Sequence, residues 1–191
     1  LFLWLARGKQ KNYGVPKPNR PLLSEHPTIS QELLGLAGHG KVHFKPNIKE
    51  LAGESIVFED GSKEKVDVLI YATGYKIAFP FFDKTFIDAE ESNDIQLYKN
   101  VVHLEHKNLF FIGLLQPLGA IMPLAEVQSE WVAKIILNKI QLPSKELMFK
   151  DITREKAKMK KRYKSSPRHT IQVEFYPYKN MIKREIKKAK V

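Results

Sequence analysis

The stretch "IGLLQPLGAIMP", residues 112–123, sets two glycines, Gly113 and Gly119, and one polar side chain, Gln116, between an apolar run and an amphipathic helical pattern. A strand, a glycine turn and a helix start form a cradle for an anion or a cofactor, because the first N–H groups of a helix lack partners and its dipole favours negative charge there. Many α/β proteins carry such a unit with no ligand on it, so spacing alone leaves a plain scaffold turn and a cofactor contact both open. A second candidate is Ala72-Thr73-Gly74, where the apolar run Val68–Tyr71 meets a glycine able to take a positive φ.

Other chemistries find no support. The sequence has no Cys, so disulfides, thiolate metal sites and a cysteine nucleophile are excluded. The six His stand at 26, 39, 43, 103, 106 and 169, without an H-E-x-x-H or a carboxylate at ligand spacing, and no metal site is expected. His103 and His106 are three apart and could share a helix face. No G-x-S-x-G elbow appears. "GLAGHG" at 35–40 has its three glycines in the reverse of the G-x-G-x-x-G spacing, after a helical pattern instead of before one, and is no phosphate loop.

The elements that must position the candidates can be read from periodicity. "NYGVPKPNRPLL" has three Pro within six residues and is a connector, while residues 1–10 suit a helix end. In "SEHPTISQELLGLAGHG" Ser30 is a plausible N-cap, with Gly38 and Gly40 as the stop. From Lys41 short runs rich in Val, Ile and Phe predict a small β-meander, with Asp60-Gly61 as a hairpin turn. Val68–Tyr71 lack polar alternation, as expected of a strand covered on both faces. "LFFIGL" reads as another buried strand and "QPLGA" as a turn. Pro123 suits a first helical position, and Leu124, Val127, Trp131, Val132, Ile135 and Ile136 then predict an amphipathic helix.

The formal charge is +11, and residues 150–191 carry it: they hold 15 Lys/Arg against 4 Asp/Glu, whereas residues 1–149 hold 17 of each. Charges this dense belong on a solvated face or against an anionic partner. Tyr163, Phe175, Tyr176 and Tyr178 interleave with the cations, a composition that can bind phosphates and stack bases, but it describes a solvated helix or a surface near anionic lipid equally well. With 43% hydrophobic residues the chain can build a real core. Its longest apolar runs are broken by Gln, Pro and Gly short of the roughly 20 residues a spanning helix needs. The sequence opens on "LFLWLARGKQ", without Met or a leader pattern, and is expected to be the downstream portion of something longer.

Three segments in order, "SIVFEDGSKEKVDVLIYATGYKIAFPF", "IGLLQPLGAIMPLAEVQSEWVAKII" and "KRYKSSPRHTIQVEFYPY", resemble the flavin-containing monooxygenases of the N,N-dimethylaniline monooxygenase type, over about residues 12–178. ATGY is shared by many two-dinucleotide flavoproteins; ATGY followed by FPF and then QPLGA with P-x-A-E-x-Q-x-x-W is far more particular. The resemblance implies an α/β fold with two Rossmann-like dinucleotide-binding domains, here with a small β-meander and a helical basic extension. Residues 1–72 would close the NADPH domain, 73–142 would close the FAD domain, and 143–191 would form the extension.

It also implies an oxidoreductase that uses NADPH, FAD and O2 to oxygenate a soft nitrogen or sulfur nucleophile, a small lipophilic amine or sulfide, through a C4a-hydroperoxyflavin. No catalytic side chain is implied, since the flavin carries the reaction. Carried over by position, Thr73 and Gly74 sit where the chain passes between the two domains, and Gln116, Gly119 and Ala120 lie beside the isoalloxazine ring, with Gln116 a polar contact to flavin or nicotinamide. The helix start near Pro123–Glu126 would aim its dipole at the flavin's pyrimidine edge. The family's G-x-G-x-x-G motifs are not in this sequence, so the isolated chain is expected not to catalyse. An intracellular enzyme is implied, cytoplasmic or at the endoplasmic reticulum membrane, with membrane association and homo-oligomerisation left open and no nucleic acid partner. Two readings stand beside it: another two-dinucleotide flavoprotein such as a Baeyer-Villiger oxygenase or pyridine-nucleotide reductase, and a non-catalytic basic module for nucleic acid or anionic membrane.

Overall fold

A computed structural model describes residues 8–17, 30, 32–87, 89, 94–162 and 170–189. The expected helix end at residues 1–10 lies almost wholly outside them, as do much of the Pro-rich connector and the "SSPRH" stretch. The chain divides into two units, one holding residues 1–22 and 27–73, the other residues 23–26 and 74–191.

In the first unit, a 3-10 turn at Gln10–Tyr13 ends on Gly14 in the left-handed region. Helix α1, Leu33–Gly38, has its N-cap at Glu32, two residues past the expected Ser30, and Ser30 Oγ still accepts the first helical N–H, that of Leu33, at 3.1 Å. The meander follows as strands β1 (Ile48–Ala52), β2 (Ser55–Phe58) and β3 (Lys63–Lys65), antiparallel in the order β1-β2-β3. Ala52 pairs with Ser55 and Val57 with Lys63. Asp60-Gly61 turns the second hairpin as expected, with Gly61 at φ +80 and Asp60 Oδ1 accepting the Ser62 N–H at 2.9 Å.

The expected buried strand at Val68–Tyr71 is not formed. These residues have no regular structure, and Val68, Ile70 and Tyr71 are 75%, 82% and 71% exposed. A continuous apolar strand is stable only between two neighbouring strands and under cover on both faces. No strand among the described residues pairs with this one.

The second unit is built on three helices: α2 (Met122–Ile136), α3 (Lys145–Arg162) and α4 (Phe175–Ile186). Pro123 sits in the first turn of α2 as predicted. Leu124, Val127, Trp131 and Val132 are buried on its inner face and Ile135 packs beside them, but Ile136 is 64% exposed, outside the stripe assigned to it. From α3, Met148 and Ile152, one turn apart, enter the same core, as do Tyr178 and Ile182 of α4. Each such side chain contributes about 1.5–3 kcal/mol of burial. One core therefore runs across position 143 without a break. Most of the remaining α3 positions are exposed and many are charged, as the composition indicates, while Asp151 is largely buried beside Lys99.

Two short ladders complete this unit. β4 (Leu97–Tyr98) and β5 (Val102–His103) form an antiparallel hairpin through Lys99-Asn100, both left-handed at φ +55 and +58, the geometry of a tight hairpin turn. β6 (Gln116–Pro117) pairs in parallel with β7 (Gln172–Val173). "QPLGA" thus opens as a strand instead of turning at once. "LFFIGL" is no full strand: it makes a single bridge, Phe110 with Val102, before Gly113 at φ +77 turns it away. Among the described residues no helix is long and apolar enough to cross a membrane.

Candidate functional site

Gln116 owes its position to β7, because its backbone N–H donates to the Ile171 carbonyl at 2.7 Å and the Leu118 N–H donates to the Val173 carbonyl at 3.3 Å. Its own side-chain amide is half-buried and makes no hydrogen bond to the described residues. Gly119 follows at φ +141, exposed, with Phe175 3.5 Å from where a Cβ would stand. That spacing is ordinary contact, so the backbone angle and not the room demands glycine here. Ala120 and Met122 are exposed at the start of α2. Among the described residues, the N–H groups of Gly119, Ala120, Ile121 and Met122 find no acceptor. Gln116, Gly119 and Ala120 therefore share one short stretch that presents a free carboxamide and a row of free N–H donors.

Thr73 and Gly74 are exposed and irregular, with Gly74 at φ +96, and the division between the two units falls between them. Thr73 ends one unit and Gly74 begins the other.

A buried polar chain fixes the Gly113 end of the stretch. Gln128, 0% exposed, accepts the Gly113 N–H on Oε1 at 2.8 Å and donates from Nε2 to the Tyr178 hydroxyl at 2.6 Å; that hydroxyl donates to the Lys99 carbonyl at 2.7 Å. Burial pushes the Tyr178 phenol well above the usual tyrosine range, so it stays a neutral donor. Sequence reasoning missed this chain. Its signal was present: Gln128 is a lone polar residue between Leu124 and Trp131 on the apolar face of α2.

The His pair does not share a helix. His103 ends β5 and its ring stacks on His106 at 5.0 Å, while Phe86 stacks on His106 at 4.3 Å. Burial first, and the neighbouring His106 second, hold the His103 imidazole below its ordinary pKa. Among the described residues no group of acidic or His side chains is placed to hold a metal ion.

The family model described as flavin-binding monooxygenase-like matches residues 5–190. The chain is 43% identical over 162 residues to Flavin-containing monooxygenase 5 of Mus musculus, covering 83% of this chain and 30% of that protein. It is 35% identical over 179 residues to Flavin-containing monooxygenase 2 of Homo sapiens, covering 92% and 33%. Among solved structures it superposes on the S-allyl-L-cysteine S-oxygenase of Allium sativum with a TM-score of 0.59 and 28% identity, over 75% of this chain and 34% of the other. Tmm from Pelagibacter sp. strain HTCC7211, at 24% identity and TM-score 0.54, shares the fold.

Fold and sequence together define an α/β protein of the flavin-binding monooxygenase-like class. The chain belongs to the flavin-binding monooxygenase-like family, and it spans about 30% of the length of the curated relatives it matches.

Proposed function

We propose that this chain serves a flavin-dependent monooxygenase that uses FAD, NADPH and O2 to oxygenate soft nitrogen or sulfur nucleophiles on small lipophilic molecules. The family supports the class of reaction. The observation that carries the reading is the stretch Gln116–Met122, where a free carboxamide and free backbone donors stand together at the start of a 15-residue helix. Such a set fits the polar edge of an isoalloxazine ring, which needs donors for its carbonyl oxygens and gains negative charge on reduction.

Flavin, when bound, supplies the oxygen activation. The residues of this chain bind and orient: Gln116 pairs with the flavin or nicotinamide edge, and Gly119, at an angle only glycine takes easily, lets the backbone of Gly119 and Ala120 approach the ring plane. The N-terminal dipole of α2 favours the charged, reduced ring. Thr73 and Gly74 contribute a hydroxyl and a backbone turn at the passage between the two dinucleotide-binding domains. No side chain here acts as acid, base or nucleophile. The G-x-G-x-x-G phosphate loops are not in this sequence, so the diphosphate grip is not assigned to it.

A chimera in which this chain replaces the matched third of the mouse relative tests the reading. The expected result is bound flavin and NADPH-dependent oxygenation of a thioether, with Gln116→Ala lowering kcat/KM by about tenfold, the scale of one buried hydrogen bond. Flavin-loaded chimera that turns over NADPH identically with Gln116 or Ala at this position defeats the assignment.

A further inference from the structure

Gly119 and Ala120 offer free N–H donors, yet their own stretch of chain does little to hold them in place. The Leu118 N–H is tied to the Val173 carbonyl of β7 at 3.3 Å, and the Ile121 carbonyl accepts the N–H groups of Leu124 at 2.9 Å and Ala125 at 3.0 Å. Between these anchors Gly119 and Ala120 make no backbone hydrogen bond among the described residues. A glycine at φ +141 has no side chain to restrict its rotation, so its angle is set by what touches it from elsewhere.

One side chain supplies that contact. Outside its chain neighbours, the three heavy atoms nearest to the place of a Gly119 Cβ all belong to Phe175, at 3.5, 3.7 and 3.7 Å. Phe175 opens α4, and Tyr178 and Ile182, one and two turns further along the same face, are buried in the core, so the ring rides on a fixed helix. The ring is braced in turn: Tyr176 meets it edge to face at 5.1 Å, and the Lys179 ammonium lies 5.7 Å from its centroid. Filling the rim of the core would ask only for apolar volume, which Leu supplies. A braced ring laid against a bare backbone is suited to fixing an angle.

We propose that Phe175 is a positioning residue for the cofactor: its ring sets the Gly119–Ala120 backbone and so keeps the two N–H donors in place for the flavin. The proposal rests on the monooxygenase reading above and adds to it a residue from α4, outside the cofactor stretch. Because aligned donors favour negative charge, losing their alignment weakens the reduced flavin more than the oxidised one.

The test uses the chimera described above, with FAD titrated into the apoprotein, the midpoint potential of the bound flavin, and the thermal midpoint of the apoprotein as readouts. Phe175→Leu is expected to weaken binding of reduced flavin about tenfold and of oxidised flavin about threefold, so that the potential falls. A purely structural Phe175 would lower the thermal midpoint and leave the ratio of the two affinities unchanged. Gly119→Ala is expected to act in the same direction, and the double variant to bind flavin no more weakly than the weaker single one, since both disturb one contact. Tyr176, 73% exposed, provides a variant that spares the core: Tyr176→Ala should weaken reduced flavin about threefold at an unchanged thermal midpoint, and it decides the matter if Phe175→Leu loses the fold. An unaltered potential in Phe175→Leu, additive losses in the double variant, or a Tyr176→Ala chimera with unchanged affinity for reduced flavin overturns the proposal and leaves the monooxygenase reading standing. A chimera that takes up no flavin with Phe175 in place defeats both.

Discussion

The two units of the chain use similar residues with opposite outcomes. In the first, Ile56 is the single buried side chain among the described residues, and the apolar run that follows the meander leaves Val68, Ile70 and Tyr71 in solvent. In the second, Leu124, Val127, Trp131, Met148, Tyr178 and Ile182 come from three helices and close on one another. Val68–Tyr71 is as apolar as the face of α2. What differs is the partner: α2 meets two helices that return from later in the sequence, whereas a lone extended run leaves its backbone groups and both faces unmatched. Burial follows from what the chain brings back to a segment as much as from the segment's own hydrophobicity.

The sharpest way to break the second unit's self-sufficiency is to remove the polar tie inside its core. Gln128→Leu keeps the volume but strands the Gly113 N–H and one side of the Tyr178 hydroxyl in a low-dielectric interior. The expected loss is about 2–4 kcal/mol, several times that of an exposed glutamine. Urea unfolding followed through Trp131 fluorescence measures it, and a shift below about 0.5 kcal/mol would show the tie to be ornamental. Gln172, 4% exposed, makes a direct contrast: Gln128 is bonded at both amide atoms and its loss should destabilise, whereas Gln172 has no side-chain partner among the described residues and its loss should stabilise.

A smaller effect separates the hairpin edge from the core by pH. His103 Nδ1 accepts the N–H groups of Glu105 at 3.3 Å and His106 at 3.1 Å, so the neutral ring carries its proton on Nε2. Its pKa lies below the ordinary value in the fold, so the unfolded chain binds the proton more readily. Stability from this group is complete above about pH 6.5, falls as the pH drops through that value, and levels off below the folded pKa. For a ring this exposed, solvent screening keeps the loss small. His103→Asn keeps a side-chain oxygen as acceptor and removes the titration, so the difference in unfolding midpoint between pH 5 and pH 7.5 should shrink. An unchanged difference assigns the pH response to other groups.

Local signals in the sequence were legible where the structure is local. Asp60-Gly61 turning the meander, Pro123 in the first turn of α2 and the Leu124–Trp131 stripe all act within a few residues, and each stands where the pattern put it, while the N-cap of α1 falls at Glu32, two residues past Ser30. Gln116, Gly119 and Ala120 were legible as one stretch, though not the β7 partner that holds it, because a parallel pairing across more than fifty residues leaves no local trace. The Lys99-Asn100 hairpin was missed since neither residue is glycine, and its left-handed pair is held from outside, by Tyr178 on the Lys99 carbonyl and Asp151 on the Lys99 ammonium. The error at Val68–Tyr71 has the same origin: an apolar run reports the need for neighbours without reporting their presence.

That last point has its own experiment, with the smallest expected change in stability. Ile70 is 82% exposed, without a strand partner among the described residues, so Ile70→Lys should shift the unfolding free energy by no more than about 0.5 kcal/mol, as for an ordinary surface site. An exposed apolar run with open backbone edges is also a template for strand pairing between copies. The same substitution should therefore lower the light scattering of a concentrated solution, because a charge on the open edge opposes that pairing. Loss of more than about 2 kcal/mol would instead mean that Ile70 is buried as in a parallel sheet, and that the first unit finds the cover its apolar run requires.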